Sequence, residues 1–261
     1  MKVVAVQWAS GEDPSVNRTA IRGLIETIDG CPDLVVLPEA SMLAFGDAPE
    51  PLAGSSERLD GPFVGLLADL SQGGATIVAG MFEDSGVDGR PYNTTVVAAR
   101  GELVGAYRKM HLYDALGFVE SAGISAGTGD RSGLVVVQVG DTKVGILTCF
   151  DLRFPELSAA LVDDGAQVLV LGAAWVPGPR KLEQWQTLLA ARAIENTSFV
   201  VAAAQPGPRY CGHSSIVGPS GEILAQAQAS PGLIQAYLEI DELDRVRTTL
   251  PVLSSRRLAR E

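Results

Sequence analysis

Cysteine and histidine are scarce in this sequence of 261 residues, which holds three of the former and two of the latter. The cysteines, Cys31, Cys149 and Cys211, are odd in number and lie far apart, so they predict neither a disulfide framework nor a zinc site. No stretch approaches the roughly 18 consecutive apolar residues of a membrane span. The N-terminus has only a short apolar run, typical of a first strand and not of a signal peptide. We therefore expect a soluble protein in the reducing environment of the cytoplasm.

Basic residues are also in the minority, with 20 lysines and arginines against 31 acidic residues and a net charge of −11. Nucleic acids and anionic membranes both require a basic surface, so this balance predicts no nucleic-acid partner and no membrane partner. Anionic small molecules are still compatible with it, because they respond to the charge of a local pocket. Hydrophobic residues make up 46% of the chain, which is enough for a substantial core.

The order of apolar segments predicts an α/β fold built from two similar halves. Each half alternates short, nearly continuous apolar runs, typical of buried strands, with segments of helical spacing. The stretch NTTVVAARGELVGAY in the first half has a counterpart, HSSIVGPSGEILAQA, in the second. Two such halves favour two sheets packed face to face, with helices on the outer faces. Since no linker separates them, we expect one domain over residues 1–261, whose basic tail at about 250–261 is solvated or forms a subunit contact.

One stretch, KVGILTCFDLRFPE at residues 143–156, combines a strand with a reactive side chain. Residues 144–148 predict a buried strand, Cys149 follows directly, and Pro155 suits the first turn of a helix. A thiol between a strand and a helix is held rigidly beside free backbone N–H groups, which is a good position for a nucleophile. A buried structural cysteine is the alternative that this stretch alone leaves open.

Two further charged residues follow predicted strands: Glu39 comes after LVVL and Lys109 after LVGAYR. Ligands bind at the carboxyl ends of strands in open sheets, so we expect both residues to meet Cys149 in one pocket. Their chemistry is complementary, because a carboxylate can take the thiol proton while an ammonium stabilises a thiolate and an oxyanion. His111 and His213 offer a Cys–His alternative, although the pattern around each favours a structural hydrogen-bonding residue.

These residues resemble a known family. The motifs LPEA, YRKMHL and TCFDLRFPE are similar to the Glu-Lys-Cys signature of the nitrilase-type carbon–nitrogen hydrolases. The resemblance covers essentially the whole chain and implies a four-layer αββα sandwich that assembles as a homodimer or larger homo-oligomer. It implies that Glu39 is the general base, Lys109 the oxyanion stabiliser and Cys149 the nucleophile. The backbone N–H of Phe150 would complete the oxyanion hole. Glu120 matches a second glutamate of the family and would orient Lys109 and the attacking water; an exposed loop acid is the alternative.

The resemblance further implies a cysteine-dependent amidase that forms a thioester and releases ammonia and a carboxylic acid, with no metal and no organic cofactor. Longer segments are most similar to the branch acting on ω-amides of small acids, which includes the deaminated glutathione amidases and the ω-amidases. The segment VPGPRKLEQW departs from that branch, because it lacks a Thr-Gly-x-Ala-His-Trp pattern and carries Arg180 and Lys181 instead. N-carbamoyl amino acid hydrolases, nitrilases and aliphatic amidases share the same three catalytic residue types.

Three residues are candidates for contact with a small amide substrate. An anionic substrate needs a cation, and Arg153 is the candidate, with an internal ion pair to Asp151 or Glu156 as the alternative. Ala174 and Trp175 end a predicted strand and are expected at the pocket wall, a core position being the alternative for Trp175. Outside hydrolysis, a thioester-mediated acyltransferase would use the same residues, and a non-catalytic scaffold would share the fold.

Overall fold

Two six-stranded sheets form the centre of the protein. The structure is a computed structural model and describes residues 1–46, 52–86 and 89–257. The strands are β1 (Lys2–Gln7), β2 (Leu34–Val36), β3 (Thr76–Glu83), β4 (Tyr92–Ala99), β5 (Glu102–Arg108), β6 (Val136–Val139), β7 (Thr142–Thr148), β8 (Val168–Ala173), β9 (Phe199–Ala204), β10 (Ser215–Val217), β11 (Ile223–Gln226) and β12 (Gly232–Tyr237). The first sheet has the order β12-β1-β2-β3-β4-β5, and the second has the order β11-β10-β9-β8-β7-β6.

The two sheets repeat one plan. Each has three parallel strands at its centre, β1 to β3 in the first sheet and β7 to β9 in the second. An antiparallel hairpin lies on one side of the parallel strands, and a single antiparallel strand lies on the other. The hairpins β4-β5 and β10-β11 correspond to the two similar stretches of sequence, so the prediction of two similar halves is confirmed. The sequence pattern did not predict β6, a four-residue strand with one exposed position.

Helices cover the outer faces of both sheets. They are α1 (Pro14–Glu26), α2 (Pro62–Ser71), α3 (Pro155–Asp163) and α4 (Lys181–Asn196), and a further helix, α5 (Asp241–Thr249), follows β12. The helices α1 and α2 pack together on the first sheet, while α3 and α4 pack on the second. Three of these helices begin with proline, whose missing N–H costs nothing in the first turn. The resulting order of layers is helix, sheet, sheet, helix, as the four-layer αββα prediction requires.

Alternate residues of a strand face two different cores. Val3 and Ala5 of β1 point into the core between the two sheets. Val4 and Val6 point the other way and pack with Ile21 and Phe63 from the helices. A strand covered on both faces has no solvent side, which explains why the apolar runs show no polar alternation.

The segment after α5 folds back onto its own chain. Arg256 forms an ion pair of 2.8 Å with Asp163 and donates a hydrogen bond of 2.8 Å to the side chain of Asn196. The predicted tail at about 250–261 is described only as far as residue 257, and its remaining residues lie outside the described part. Within the described part of the chain, no helix is both long enough and apolar enough to cross a membrane.

Candidate active site

The predicted residues Glu39, Lys109 and Cys149 come together in one cavity. They follow β2, β5 and β7 respectively, three strands whose carboxyl ends converge on this place. The cavity has a volume of about 730 Å³, which is in the range of small-molecule sites. Glu120 and Phe150 also line it. The strand-end argument from the sequence therefore predicted the right grouping of side chains.

Two glycines, one from each sheet, allow the backbone of Glu39 to lie between the sheets. A Cβ atom on Gly80 of β3 would lie 2.7 Å from the Glu39 Cα, and one on Gly172 of β8 would lie 2.8 Å from the Glu39 nitrogen. The next residue, Ala40, has the left-handed φ of 56°, which turns the chain away from the cavity. Gln205 donates a hydrogen bond of 2.8 Å to the Glu39 carbonyl. The position of this carboxylate is thus set by the packing of both sheets.

The Glu39 side chain is 1% exposed and accepts three hydrogen bonds from nitrogen donors. Its Oε1 accepts from Lys109 Nζ and from Asn93 Nδ2, each at 2.8 Å. Its Oε2 accepts from the backbone N–H of Ala174, at the end of β8, again at 2.8 Å. A buried carboxylate with these donors is held in one orientation, with one charged neighbour.

Lys109 lies between two carboxylates. Its Nζ donates to Glu39 Oε1 and, at 2.9 Å, to Glu120 Oε2, so Glu120 is placed beside Lys109 as the resemblance implied. Glu120 itself accepts a 2.6 Å hydrogen bond from the Tyr113 backbone and a 3.0 Å hydrogen bond from Asn93. Burial by itself lowers the pKa of Lys109, but the charges of Glu120 and Glu39 outweigh it and hold the pKa well above its ordinary value. Lys109 is therefore a permanent cation in this site.

The backbone at Cys149 is strained. Cys149 has a left-handed φ of 45°, which is unfavourable for a residue with a side chain and typical of functional sites. The helix predicted to begin at Pro155 is confirmed as α3, and a short 3₁₀ turn, Cys149–Arg153, which the sequence pattern did not predict, precedes it. Phe150 is in the first turn of this 3₁₀ segment, where backbone N–H groups have no partner within the helix.

Asp151 holds this turn in place. It is fully buried, and its carboxylate accepts hydrogen bonds from the Thr148 backbone at 3.0 Å and from the Tyr107 hydroxyl at 2.7 Å. His111 Nδ1 lies 2.7 Å from the same carboxylate, and the His111 ring stacks on Phe154 with centroids 3.7 Å apart. Asp151 thus links Tyr107 of β5, two residues before Lys109, to the turn that begins at Cys149.

Burial raises the pKa of the Cys149 thiol well above its usual value. The charge of Glu39 and its hydrogen bond to the thiol raise the pKa further, while the ammonium of Lys109 lowers it and is outweighed. The resting site therefore keeps the proton on sulfur, next to a carboxylate able to receive it. Proton transfer from Cys149 to Glu39 moves a negative charge within the site without changing the total charge.

The sequence matches a known protein family over most of its length. The family model described as carbon-nitrogen hydrolase matches residues 3–248. The chain belongs to this family. It is 41% identical over 227 residues to a deaminated glutathione amidase of Escherichia coli O157:H7, covering 87% of this chain and 85% of that protein. It is 35% identical over 241 residues to the deaminated glutathione amidase of Mus musculus, covering 86% and 73%.

A solved structure shows the same fold. The CN-hydrolase superfamily protein of Xanthomonas campestris superposes with a TM-score of 0.88 at 24% identity, covering 100% of this chain and 98% of that chain. The family match and the amidase-named relatives show that the chain is a hydrolase acting on carbon–nitrogen bonds other than peptide bonds. The four-layer sandwich inferred from the motifs is the fold of that neighbour as well.

The three predicted substrate contacts have different positions in this carbon–nitrogen hydrolase. Ala174 and Trp175 both line the cavity. Arg153 is outside the described residues that line it, and its guanidinium lies 4.8 Å from the Trp175 ring centroid and donates a 2.7 Å hydrogen bond to Gln184. Among the described residues, Arg153 forms no ion pair with either alternative partner, Asp151 or Glu156; Asp151 lies beside His111 instead.

Sequence reasoning missed two residues of the site. Asn93 bonds to both Glu39 and Glu120, and its only signal was a polar residue at the start of an apolar strand. Lys181 was noted only as a departure in a loop, but it is 4% exposed and lines the cavity. Neither His111 nor His213 is among the described residues lining the cavity, so the geometry favours Glu39 over a histidine as the base.

Proposed function

We propose that this carbon–nitrogen hydrolase is an amidase that cleaves a small ω-amide through a thioester on Cys149. The observation that carries the proposal is the meeting of the Cys149 thiol, the buried Glu39 carboxylate and the Lys109 ammonium in one cavity, with Lys109 Nζ bonded to Glu39 at 2.8 Å. The two relatives named deaminated glutathione amidase support an amide as the substrate.

In the first half of the reaction, Cys149 attacks the amide carbonyl carbon while Glu39 takes the thiol proton. The tetrahedral oxyanion accepts hydrogen bonds from Lys109 Nζ and from the Phe150 backbone N–H, donors that are already in place before the reaction. Glu39 then gives its proton to the amide nitrogen, the carbon–nitrogen bond breaks, and the amine leaves. The acyl group remains on sulfur as a thioester.

In the second half, Glu39 acts again as a base. It takes a proton from water, the resulting hydroxide attacks the thioester carbonyl, and the same two donors bind the new oxyanion. Sulfur leaves and recovers its proton from Glu39, and the carboxylic acid is released. Glu120 takes no part in the proton transfers; it holds Lys109 and helps to orient the attacking water.

Two candidate substrates share one acyl group. In deaminated glutathione, a 2-oxoglutaryl group is joined by its distal carbonyl to the nitrogen of cysteinylglycine. In 2-oxoglutaramate (α-ketoglutaramate), the same group carries an unsubstituted amide. Hydrolysis of either gives 2-oxoglutarate, so the leaving amine is a dipeptide in the first case and ammonia in the second.

The test is product formation from a panel of amides. The panel contains deaminated glutathione, 2-oxoglutaramate, glutamine, an aliphatic amide, an N-carbamoyl amino acid and a nitrile, and both acid and amine are measured. We expect turnover of one or both 2-oxoglutaryl amides, and none by Cys149→Ala at equal protein concentration. Turnover by Cys149→Ala equal to that of the wild type would overturn the proposal.

The same assay separates the alternatives. A preference for the nitrile, the aliphatic amide or the carbamoyl compound would reassign the substrate within the family. Transfer of the acyl group to an added amine, in place of water, would indicate an acyltransferase. No turnover together with an unreactive Cys149 would indicate a scaffold. A homo-oligomeric assembly and a cytoplasmic location stay predictions, testable by light scattering and cell fractionation.

A further inference from the structure

A second lysine, Lys181, faces the same cavity as Cys149. It is the first residue of α4 and is 4% exposed. Its Nζ lies 4.4 Å from the ring centroid of Trp175 and 5.1 Å from that of Tyr113, and both rings also line the cavity. Two aromatic faces at this distance attract a cation. They do not use up its N–H donors, which can still form hydrogen bonds to a ligand.

The backbone of Lys181 is tied to the end of β8. Trp175 donates its indole N–H to the Lys181 carbonyl at 2.9 Å, and the Lys181 N–H donates to the Gly178 carbonyl at 3.1 Å. Trp175 follows Ala174, whose N–H bonds to the Glu39 carboxylate. The loop between β8 and α4 therefore places an ammonium at a set position relative to the general base.

The charge of Lys181 has no counterion among the residues that the structure describes. The cavity carboxylates of Glu39 and Glu120 are both bonded to Lys109. Burial, followed by the charge of Arg153, lowers the pKa of Lys181 below its ordinary value, so the largest charge effect on Lys181 comes from another cation. A buried charge without a partner is costly, so this position favours a ligand that supplies a negative charge.

We propose that Lys181 binds the carboxylate of the substrate's acyl group and makes the site selective for ω-amides of dicarboxylic acids over neutral amides. The inference rests on the proposed amidase function and names the residue that binds the end of the acyl group opposite the amide. Lys181 is a specificity-determining residue in this role, and it does not take part in the proton transfers.

Other cations fit this role less well. Arg153 is not among the described residues that line the cavity and is bonded to Gln184, and Lys109 is already bonded to two carboxylates. Arg209 lines the cavity but is exposed, and it donates a 3.0 Å hydrogen bond to the Phe45 carbonyl, which places it at the rim. A rim charge in contact with water attracts a carboxylate more weakly than a buried one.

The first measurement compares two amides of equal chain length, glutaramate and pentanamide. In Lys181→Met, which keeps the length of the side chain and removes its charge, the ratio of kcat/KM for glutaramate to that for pentanamide falls roughly 10- to 100-fold, mainly through KM for glutaramate. This range is that of a charge-assisted hydrogen bond. Lys181→Arg retains part of the ratio. Lys143→Met, at an exposed lysine of β7, leaves the ratio unchanged. An equal ratio in Lys181→Met and the wild type would overturn the inference.

A second measurement does not depend on turnover. Calorimetry on Cys149→Ala, and on Cys149→Ala combined with Lys181→Met, gives the affinity for glutarate, a dianion of similar length. We expect the affinity to fall by the same roughly 10- to 100-fold when Lys181 is replaced. If the wild type cleaves no amide but glutarate binding still depends on Lys181, the proposed function fails and the carboxylate site stands. If glutaramate is cleaved and neither measurement responds to Lys181, the inference fails and the function stands.

Discussion

Gly172 packs directly against the backbone of Glu39. A substitution at this residue, which takes no part in the chemistry, therefore tests how the base is positioned. Gly172 is in β8 and bears no functional group, yet a Cβ at this position would lie 2.8 Å from the Glu39 nitrogen and 3.1 Å from both the Leu37 oxygen and the Pro38 carbonyl carbon. All three are backbone atoms, which cannot rotate away as a side chain can. Gly172→Ala therefore requires the segment bearing Glu39, or β8 itself, to move.

The size of the movement follows from these distances. Restoring ordinary van der Waals contact displaces the Glu39 backbone by roughly 0.6 Å. Overpacking of this kind costs about 1–3 kcal/mol of unfolding free energy. A misplacement of about 1 Å in a catalytic group can cost about 100-fold in rate, so we expect kcat to fall roughly 10- to 100-fold.

The assay is steady-state hydrolysis of the best amide of the panel, together with urea unfolding. The matched control is Gly23→Ala in α1, where the added methyl group meets no atom within 4 Å and the helix gains about 0.5–1 kcal/mol. A Gly172→Ala enzyme that folds with the wild-type unfolding free energy and keeps the wild-type kcat would refute the argument that the two sheets position the base.

Three further predictions concern the thiol and the turn that carries it. The charge of Glu39 raises the pKa of Cys149, so we expect Glu39→Gln to lower that pKa. The midpoint of the pH–rate profile for alkylation of Cys149 by iodoacetamide then moves to lower pH. A shift of the midpoint to higher pH would contradict this prediction. Between pH 9 and pH 10 the unfolded chain loses the Cys149 proton while the folded chain keeps it, so the unfolding free energy falls by up to about 1.4 kcal/mol per pH unit. Cys149→Ala removes that share of the slope in urea titrations, and an unchanged slope would argue against a protonated native thiol. Asp151→Asn replaces an acceptor by an NH₂ group facing donors; we expect about 1–3 kcal/mol less unfolding free energy and at least roughly 10-fold lower kcat, with a smaller effect for Tyr107→Phe, which removes one hydrogen bond.

The parts of the fold that sequence predicted best depend on local pattern. The buried strands are continuous apolar runs, and the triad residues are charged or nucleophilic groups directly after them. A residue's position at the end of a strand is readable from its immediate neighbours. This is why the sequence alone predicts that Glu39, Lys109 and Cys149 meet in one pocket.

The parts that sequence did not predict depend on contacts between distant segments. The short turn at Cys149–Arg153 exists because Asp151 bonds back to Thr148 and across to Tyr107 of β5, a residue 44 positions away. The sequence around Lys181 is typical of a polar surface loop. The residue is buried only because this segment packs on Trp175. Asn93 acquires its role through Glu39, 54 positions away. Such pairings carry no signal at short range.

The protonated resting state of Cys149 also affects how the protein withstands oxidants. Hydrogen peroxide oxidises thiolates, and a neutral thiol reacts slowly with it. In the proposed mechanism the thiolate forms only as Glu39 takes the proton during attack on a carbonyl, so Cys149 is spared while no amide is bound. Burial, together with the charge of Glu39, therefore protects the thiol between turnovers.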